Sequence, residues 1–508
     1  MITILKKIYK LIMSRGFIIS FLLLIQLFII VYLSWKLGQF GIYVYVAFSI
    51  ISIIVSFAIL NRSFNPAYKI SWMLLVLTVP FAGVFFYLMF GNLRLSKKRQ
   101  NKLNYLKQQI SEEVIRNSHN ISFENEDISK VSKYITNITG MLPMDNTISQ
   151  LLPSGEDFHK SLLEELEKAE KFIFLEYFII REGEMWDSIE KILIEKAKKG
   201  VDVRVIYDDF ACINKVKFSF KGKLIKNGIK VINFNPYRPR LTMVINYRDH
   251  RKITVIDGNV GYVGGINIGD EYINRVQKFG YWKDASLILK GDGVWNLTLL
   301  FLQMWQYSSN DQFDYDLYRP TLSYTTTGFV QPFGDGPLDS HQTIEMSYIQ
   351  LINNAKKYVY ITTPYLVLDN EMTTSLKLAA ISGVDVRIMM PHIPDKKIVF
   401  MISQSHYLDL ISAGVKIYEF RPGFLHSKYI VADDKVAIIG TANLDYRSFY
   451  LHYEVSCLLY QTTSISDIKK DFDRALEVSH QVSLEEAQKV SWIKKVFVSF
   501  LRAFSPMI

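Results

Sequence analysis

The hydrophobic positions are unevenly spread along the chain. Three uncharged apolar runs, 17–35, 42–60 and 70–90, fall within the first 90 residues. Each is about 20 residues long, enough for a helix to cross a hydrocarbon core of about 30 Å. Three such runs in succession argue against buried helices of a soluble core. The first is too long for the apolar stretch of a cleaved signal peptide, and no small-residue cleavage site follows it. Pro80 and Gly83 interrupt the third run, which leaves a full span and a bent or re-entrant segment both open. Lys6, Lys7, Lys10 and Arg15 precede the first run and place the N-terminus in the cytoplasm. Three full spans would put the rest of the chain outside, yet Arg94, Lys97, Lys98 and Arg99 directly after the third run argue for the inside. The expectation is a multi-pass protein of the cell membrane, with two to three transmembrane helices in residues 1–92.

Residues 93–140 are polar and charged and read as a linker, partly helical. Two later segments resemble each other: LLEELEKAEKFIFLEYFII followed by KKGVDVRVIYDDF, and YIQLINNAKKYVYITTPYLV followed by ISGVDVRIMMPHI. Ala169 aligns with Ala355 and Gly200 with Gly383, so the copies are nearly colinear. Strands alternating with helices predict parallel pairing covered by helices. The fold class is therefore α/β: two repeats, 141–330 and 331–482, each a mixed β-sheet flanked by helices, packed about a pseudo-twofold axis. The last segment, 483–508, opens on a Ser483…Glu486 capping pattern and mixes Trp492, Phe497 and Phe500 with Lys494 and Lys495. It reads as an amphipathic helix suited to a membrane surface.

Composition narrows the function. With 49% hydrophobic and 21% charged residues, the chain is neither disordered nor low-complexity. Two cysteines, Cys212 and Cys457, exclude a disulfide scaffold and a four-cysteine zinc site. The net charge of +10 suits an anionic partner, lipid or nucleic acid. No aromatic-basic RNA motif is present, and the apolar runs favour lipid over nucleic acid.

Each repeat ends in the same constellation. The first is His250, Lys252, Asp257 and Asn267; the second is His426, Lys428, Asp433 and Asn443, at identical spacings. Alternation along a strand puts His and Lys on one face, and the Asp starts a turn into a second strand on which Asn returns. Two such sets brought together suit phosphoryl transfer from a diester. One imidazole attacks phosphorus, the other moves protons, and Lys252, Lys428, Asn267 and Asn443 meet the phosphate oxygens. This chemistry needs no metal and no cofactor, and ammonium groups repel a cation. Each imidazole needs a partner to fix its tautomer. Glu454, downstream of His426, and Asp284, downstream of His250, are the candidates.

HxKxxxxD twice, followed by GGxN and GTxN, resembles the phospholipase D superfamily. The chain is more closely similar to the bacterial cardiolipin synthases, through NPAYKISWMLLVLTVPFAGVFFYLMFG, NYRDHRK, GFLHSK, ANLDYRS and the terminal FSPMI. The resemblance implies a membrane enzyme that joins two phosphatidylglycerol molecules into cardiolipin and releases glycerol, among anionic lipids. It implies catalytic roles for His250, Lys252, Asp257, His426, Lys428 and Asp433, with His250 favoured as nucleophile and the Asp mostly supporting local structure. Asp249 departs from the Asn expected there. The competing reading is a hydrolytic phospholipase D or another head-group exchange enzyme.

Overall fold

The computed structural model describes residues 21, 24–29, 31, 32, 38–91, 97–116, 121, 123, 125–236, 246–339 and 341–507. The chain divides into two compact units. The smaller takes in residues 1–95, 237–246 and 500–508, and the larger 96–236 and 247–499.

In the smaller unit, helix Gln39–Leu60 holds the second apolar run. Its segment Gly41–Leu60 is, among the described residues, the one helix long and apolar enough to cross a membrane. The third run is not one span. It divides between helices Pro66–Thr78 and Pro80–Phe90, because Pro80 has no N–H to continue the first and is preorganised to start the second. Asn65 caps the first of these by accepting the Ala67 N–H at 2.9 Å. The two helices touch closely at Gly83, where a Cβ would stand 2.4 Å from the Leu75 carbonyl oxygen. Tyr68, Trp72, Val76, Ala82 and Phe86 form the core between them, and the Ser71 hydroxyl donates to the Ala503 carbonyl at 2.6 Å. Most of the 17–35 run lies outside the described residues.

The larger unit carries both repeats. Residues expected as a linker form helices Lys97–Ile115 and Glu126–Thr139 that belong to this body. Leu103, Leu106, Ile110 and Val114 on one helix and Ile128, Val131 and Ile135 on the other make buried stripes at helical spacing, which a solvated linker would not bury.

The first repeat contributes β1 (Thr147–Leu152), β2 (Phe172–Tyr177), β3 (Asp202–Asp208), β4 (Lys230–Phe234), β5 (Arg248–Asp249), β6 (Lys252–Ile256), β7 (Val260–Gly264), β8 (Tyr281–Lys283) and β9 (Ser286–Gly291). The second contributes β10 (Phe329–Asp335), β11 (Tyr358–Thr362), β12 (Asp385–Pro391), β13 (Lys416–Phe420), β14 (Gly423–Leu425), β15 (Tyr429–Ala432), β16 (Val436–Gly440), β17 (His452–Tyr460) and β18 (Ser479–Gln481). The sheet orders are β1-β9-β7-β6-β2-β3-β4 and β10-β17-β16-β15-β11-β12-β13-β18, so the seven strands of the first sheet match the first seven of the second, and β18 is an addition at its edge. Within the two main sheets, parallel pairing is confined to β2-β3-β4 and β11-β12-β13. The remaining main-sheet pairs are antiparallel, because the motif strand turns straight into a hairpin (β6–β7 and β15–β16) rather than crossing over through a helix.

Two short ladders join the repeats. β5 runs parallel to β17, pairing Arg248 with His452 and Asp249 with Tyr453. β14 runs parallel to β8, pairing Phe424 with Trp282 and Leu425 with Lys283. The segment ahead of each motif histidine thus lies against the strand that leads to a carboxylate of the other repeat.

Candidate active site

The ladders dictate how the histidines are held. His250 N–H donates to the Tyr453 carbonyl at 2.9 Å, and His426 N–H to the Lys283 carbonyl. One residue further along each partner strand stands a carboxylate. His250 Nδ1 lies 3.0 and 2.9 Å from the two oxygens of Glu454, and His426 Nδ1 lies 2.6 Å from Asp284 Oδ2. Asp284 and Glu454 do contact the imidazoles, but each contacts the histidine of the opposite repeat, not the one it follows in sequence. All four groups are buried.

The glycine-rich segments make room for these carboxylates. A Cβ on Gly265 would come 2.2 Å from Asp284 Oδ1, so only glycine admits the carboxylate there. Thr441 occupies the matching place in the second repeat, and its hydroxyl donates to Glu454.

Lys252 and Lys428 project from the same faces as the histidines. Each ammonium donates to the carbonyl of the histidine two residues earlier. Both are buried, and each lies in the electrostatic field of the other and of both Glu454 and Asp284. The two motifs therefore share one site. Burial lowers Lys252 to about 7 and Lys428 to about 8, because removal from water penalises the ammonium. Burial, reinforced by the neighbouring lysine, lowers His250 well below its ordinary value and His426 to about 4. Both imidazoles are free bases at neutral pH. Burial alone would raise the two carboxyls; the Nδ1–H of His250 facing Glu454, and the Lys428 ammonium with the Nδ1–H of His426 facing Asp284, more than offset it and lower both.

The motif aspartates sit elsewhere. Asp257 accepts the N–H groups of Glu170, Lys171 and Phe172, each at 2.8 Å, where β2 begins. Asp433 does the same for Lys356, Lys357 and Tyr358 at β11. Both have positive φ, 52° and 55°, in the turns of their hairpins. Their carboxylates bind backbone at the far end of the strand, so these two residues position the motif and do not touch the reacting atoms.

The asparagines are also partly engaged by the fold. Asn267 Oδ1 accepts the Ile179 N–H at 2.9 Å and Nδ2 donates to the Tyr272 hydroxyl at 2.9 Å. Asn443 Nδ2 reaches Asp445 at 3.3 Å, and its Oδ1 is buried without a partner. One amide hydrogen remains on each for a ligand.

Asp249 lies fully buried beside Glu176, with Arg251 the neighbouring cation. Burial first, then the adjacent carboxylate, raises Glu176 well above the ordinary range, so the pair holds a proton directly behind the first motif. An Asn at 249 would not require that proton.

Sequence reasoning missed the aromatic shell. Phe178 lies 4.7 Å from the His250 ring and His452 5.3 Å from it. Trp282 lies 5.1 Å, and Tyr272 5.9 Å, from His426. Trp282 and His452 each stand two residues before the carboxylate, a relation visible in the sequence once the carboxylates are aligned. His250, His452 and Glu454 are, among the described residues, the one group of His, Cys, Asp and Glu side chains whose donor atoms converge as a metal site requires. Lys252 adjoins them, so the surroundings disfavour a divalent cation.

Two imidazole–carboxylate pairs and two ammonium groups on a duplicated α/β sheet define a two-repeat phospholipase D-like protein. Residues 162–280 and 348–476 match the family described as "Cardiolipin synthase, PLD-like domain", and residues 42–92 match "Phospholipase D-nuclease N-terminal". A cardiolipin synthase of Alkalihalophilus pseudofirmus is 36% identical over 94% of this chain and 95% of its own length. An uncharacterised protein of Streptococcus mutans is 40% identical over 89% of this chain and 98% of its own. The chain belongs to the cardiolipin synthase family. The phosphatidylserine synthase of Haemophilus influenzae superposes with a TM-score of 0.57 at 15% identity, over 75% of this chain and 98% of that one, a likeness of fold.

Proposed function

We propose that this chain makes cardiolipin by phosphatidyl transfer between two phosphatidylglycerol molecules. The observation that carries the reading is the crossed pairing of two buried imidazoles with Glu454 and Asp284 around two buried lysines. His250 Nε2 attacks phosphorus of the first lipid, the bond to the glycerol oxygen breaks, and His426 supplies the proton to that oxygen. The phosphatidyl group then rests on His250. The terminal hydroxyl of a second phosphatidylglycerol gives its proton to His426, its oxygen attacks phosphorus, and the phosphorus–nitrogen bond breaks. Lys252, Lys428 and the remaining amide hydrogens of Asn267 and Asn443 meet the non-bridging oxygens. Glu454 and Asp284 keep each ring in the tautomer that presents Nε2. The anionic diester also supplies the charge that restores protons to the lysines and to His426, which the empty site disfavours.

Helix Gly41–Leu60 supports residence in a membrane, since Ile42, Ile50, Ile54 and Phe57 are all more than half exposed, a cost in water that hydrocarbon removes. We assign the chain to the bacterial cell membrane as a multi-pass protein, with phosphatidylglycerol and other anionic lipids as its partners. The domain boundaries that go with this reading are a membrane region at 1–92, a connecting segment at 93–140, a first repeat at 141–330, a second at 331–482 and a C-terminal helix at 483–508. The decisive assay is purified protein with phosphatidylglycerol alone. Cardiolipin and free glycerol in equal amounts are expected; phosphatidic acid as the sole product would convert the reading to a hydrolytic phospholipase D.

A further inference from the structure

The crossed ladders make a position-by-position comparison of the two halves. His426 and His250 correspond, Asp284 and Glu454 correspond, and two residues before each carboxylate Trp282 corresponds to His452. Both rings pack on the motif imidazole of the other repeat, at 5.1 and 5.3 Å between centroids. One is an indole whose nitrogen is buried without a partner among the described residues. The other is an imidazole whose Nδ1 lies 3.6 Å from Glu454 Oε1, buried and unbonded. At 3.6 Å this is not a hydrogen bond, but a shift of about half an ångström makes it one, and such bonds commonly tighten when substrate closes the site.

Glu454 therefore has a second imidazole within reach, whereas among the described residues Asp284 is bonded by His426 and the Ala285 N–H alone. We propose that His452 is a positioning residue for His250: it donates from Nδ1 to Glu454 Oε1 as the site closes and fixes the plane of the carboxylate that orients the nucleophile. The inference rests on the reading of His250 as the residue that carries the phosphatidyl group. It also breaks the near-symmetry of the repeats. When His250 attacks phosphorus its ring gains positive charge, and a carboxylate held by two donors, His452 and Thr441, stays anionic and in register with the ring Nδ1–H. The His426 side, backed by Trp282, Phe424 and Tyr272, has among the described residues no second imidazole; its carboxylate takes its other hydrogen bond from the Ala285 N–H. No bond is made or broken at His452, and its proton returns to the same nitrogen each cycle.

The test uses the full-length chain reconstituted with phosphatidylglycerol, as wild type, His452→Phe and His452→Gln. Phenylalanine keeps a flat ring and donates nothing; glutamine carries an amide N–H that reaches Glu454. The Phe variant is expected to lose about tenfold or more in kcat, the factor one hydrogen bond to a charged group supplies, with KM for phosphatidylglycerol within about twofold. The Gln variant recovers most of the loss, and acid quenching of turnover leaves the labelled phosphate on His250 throughout. If the Phe variant does not fold, His452→Leu takes its place in the same comparison. Equal rates for the Gln variant and the apolar variant, at wild-type level or equally depressed, assign position 452 to packing and overturn the proposal. A wild-type adduct on His426 overturns it as well. Wild-type protein that yields neither cardiolipin nor any adduct sinks the underlying reading too, and does so before a variant is compared.

Discussion

Lys252 and Lys428 carry the charge that a phosphodiester must meet, and burial holds them at about 7 and about 8. An ammonium needed in its charged form is lost as pH rises through its pKa. Because kcat/KM reports the free enzyme, it is expected to fall as pH climbs from about 7 through 8, while kcat, measured with the anionic lipid bound, holds to higher pH. Initial rates across that range check it; a kcat/KM profile that stays flat well into the alkaline range would count against charged lysines. Asp257 and Asp433 belong to the same scale with a different role. Removing the carboxylate that accepts three N–H bonds and placing alanine at positive φ is expected to cost about 2 kcal/mol or more for Asp257→Ala. Asp257→Asn, which tolerates that φ and keeps one acceptor, should cost about half as much. Thermal unfolding in detergent compares the two, and the adduct should stay on the same histidine in both. The paired motif was legible because two apart on a strand means one face, whatever surrounds it. The direction in which the motif aspartate points was suggested by its place in a turn, but its three backbone partners lie more than 70 residues away in sequence.

At the scale of elements, glycines decide whether the halves meet. Gly423 pairs with Tyr281 in the β14–β8 ladder, and a Cβ there would lie 2.3 Å from the Tyr281 carbonyl oxygen and 2.4 Å from its nitrogen. Gly423→Ala must push the strands apart and pull Lys283 and Asp284 from His426. The expected result is loss of most activity, with the His250–Glu454 side intact; a Gly423→Ala enzyme of wild-type kcat would show that the ladder does not set that distance. Gly83→Ala acts in the smaller unit, where the new methyl meets Leu75 and Val76 backbone. It is expected to open the hairpin of helices Pro66–Thr78 and Pro80–Phe90 and lower the thermal midpoint of that unit. The break at Pro80 was visible in the sequence because proline acts locally. Helix was expected in part of 93–140, but not that it packs on the larger unit, because polar faces dominate the composition and the buried stripe is narrow.

For the whole molecule, the site exists only between repeats. Double-mutant cycles on turnover should find strong coupling between His250 and Glu454, and near-additive effects for His250 with Asp284. The reverse pattern, with coupling inside each repeat, would contradict the crossed arrangement. The internal repeat itself was clear from matching segments, and the strand order common to both repeats follows from it, β18 being an addition to the second. Each sheet is mixed, as expected: strands joined through helices pair in parallel, while a hairpin at the motif cannot be wound by a helix crossover and pairs antiparallel.

The sequence alone determined the apolar runs, the duplication, the two histidine–lysine faces and the family resemblance. Each depends on spacing along the chain, where period and composition act over a few residues. Only the tertiary structure decided which carboxylate serves which histidine, that the motif aspartates bind backbone, and that His452 stands where its counterpart is Trp282. The carboxylate–histidine contacts join residues 204 and 142 positions apart, and two repeats with matching motifs offer both a same-repeat and a crossed pairing. The choice between them is made by which strand edges are left unpaired once each sheet has formed.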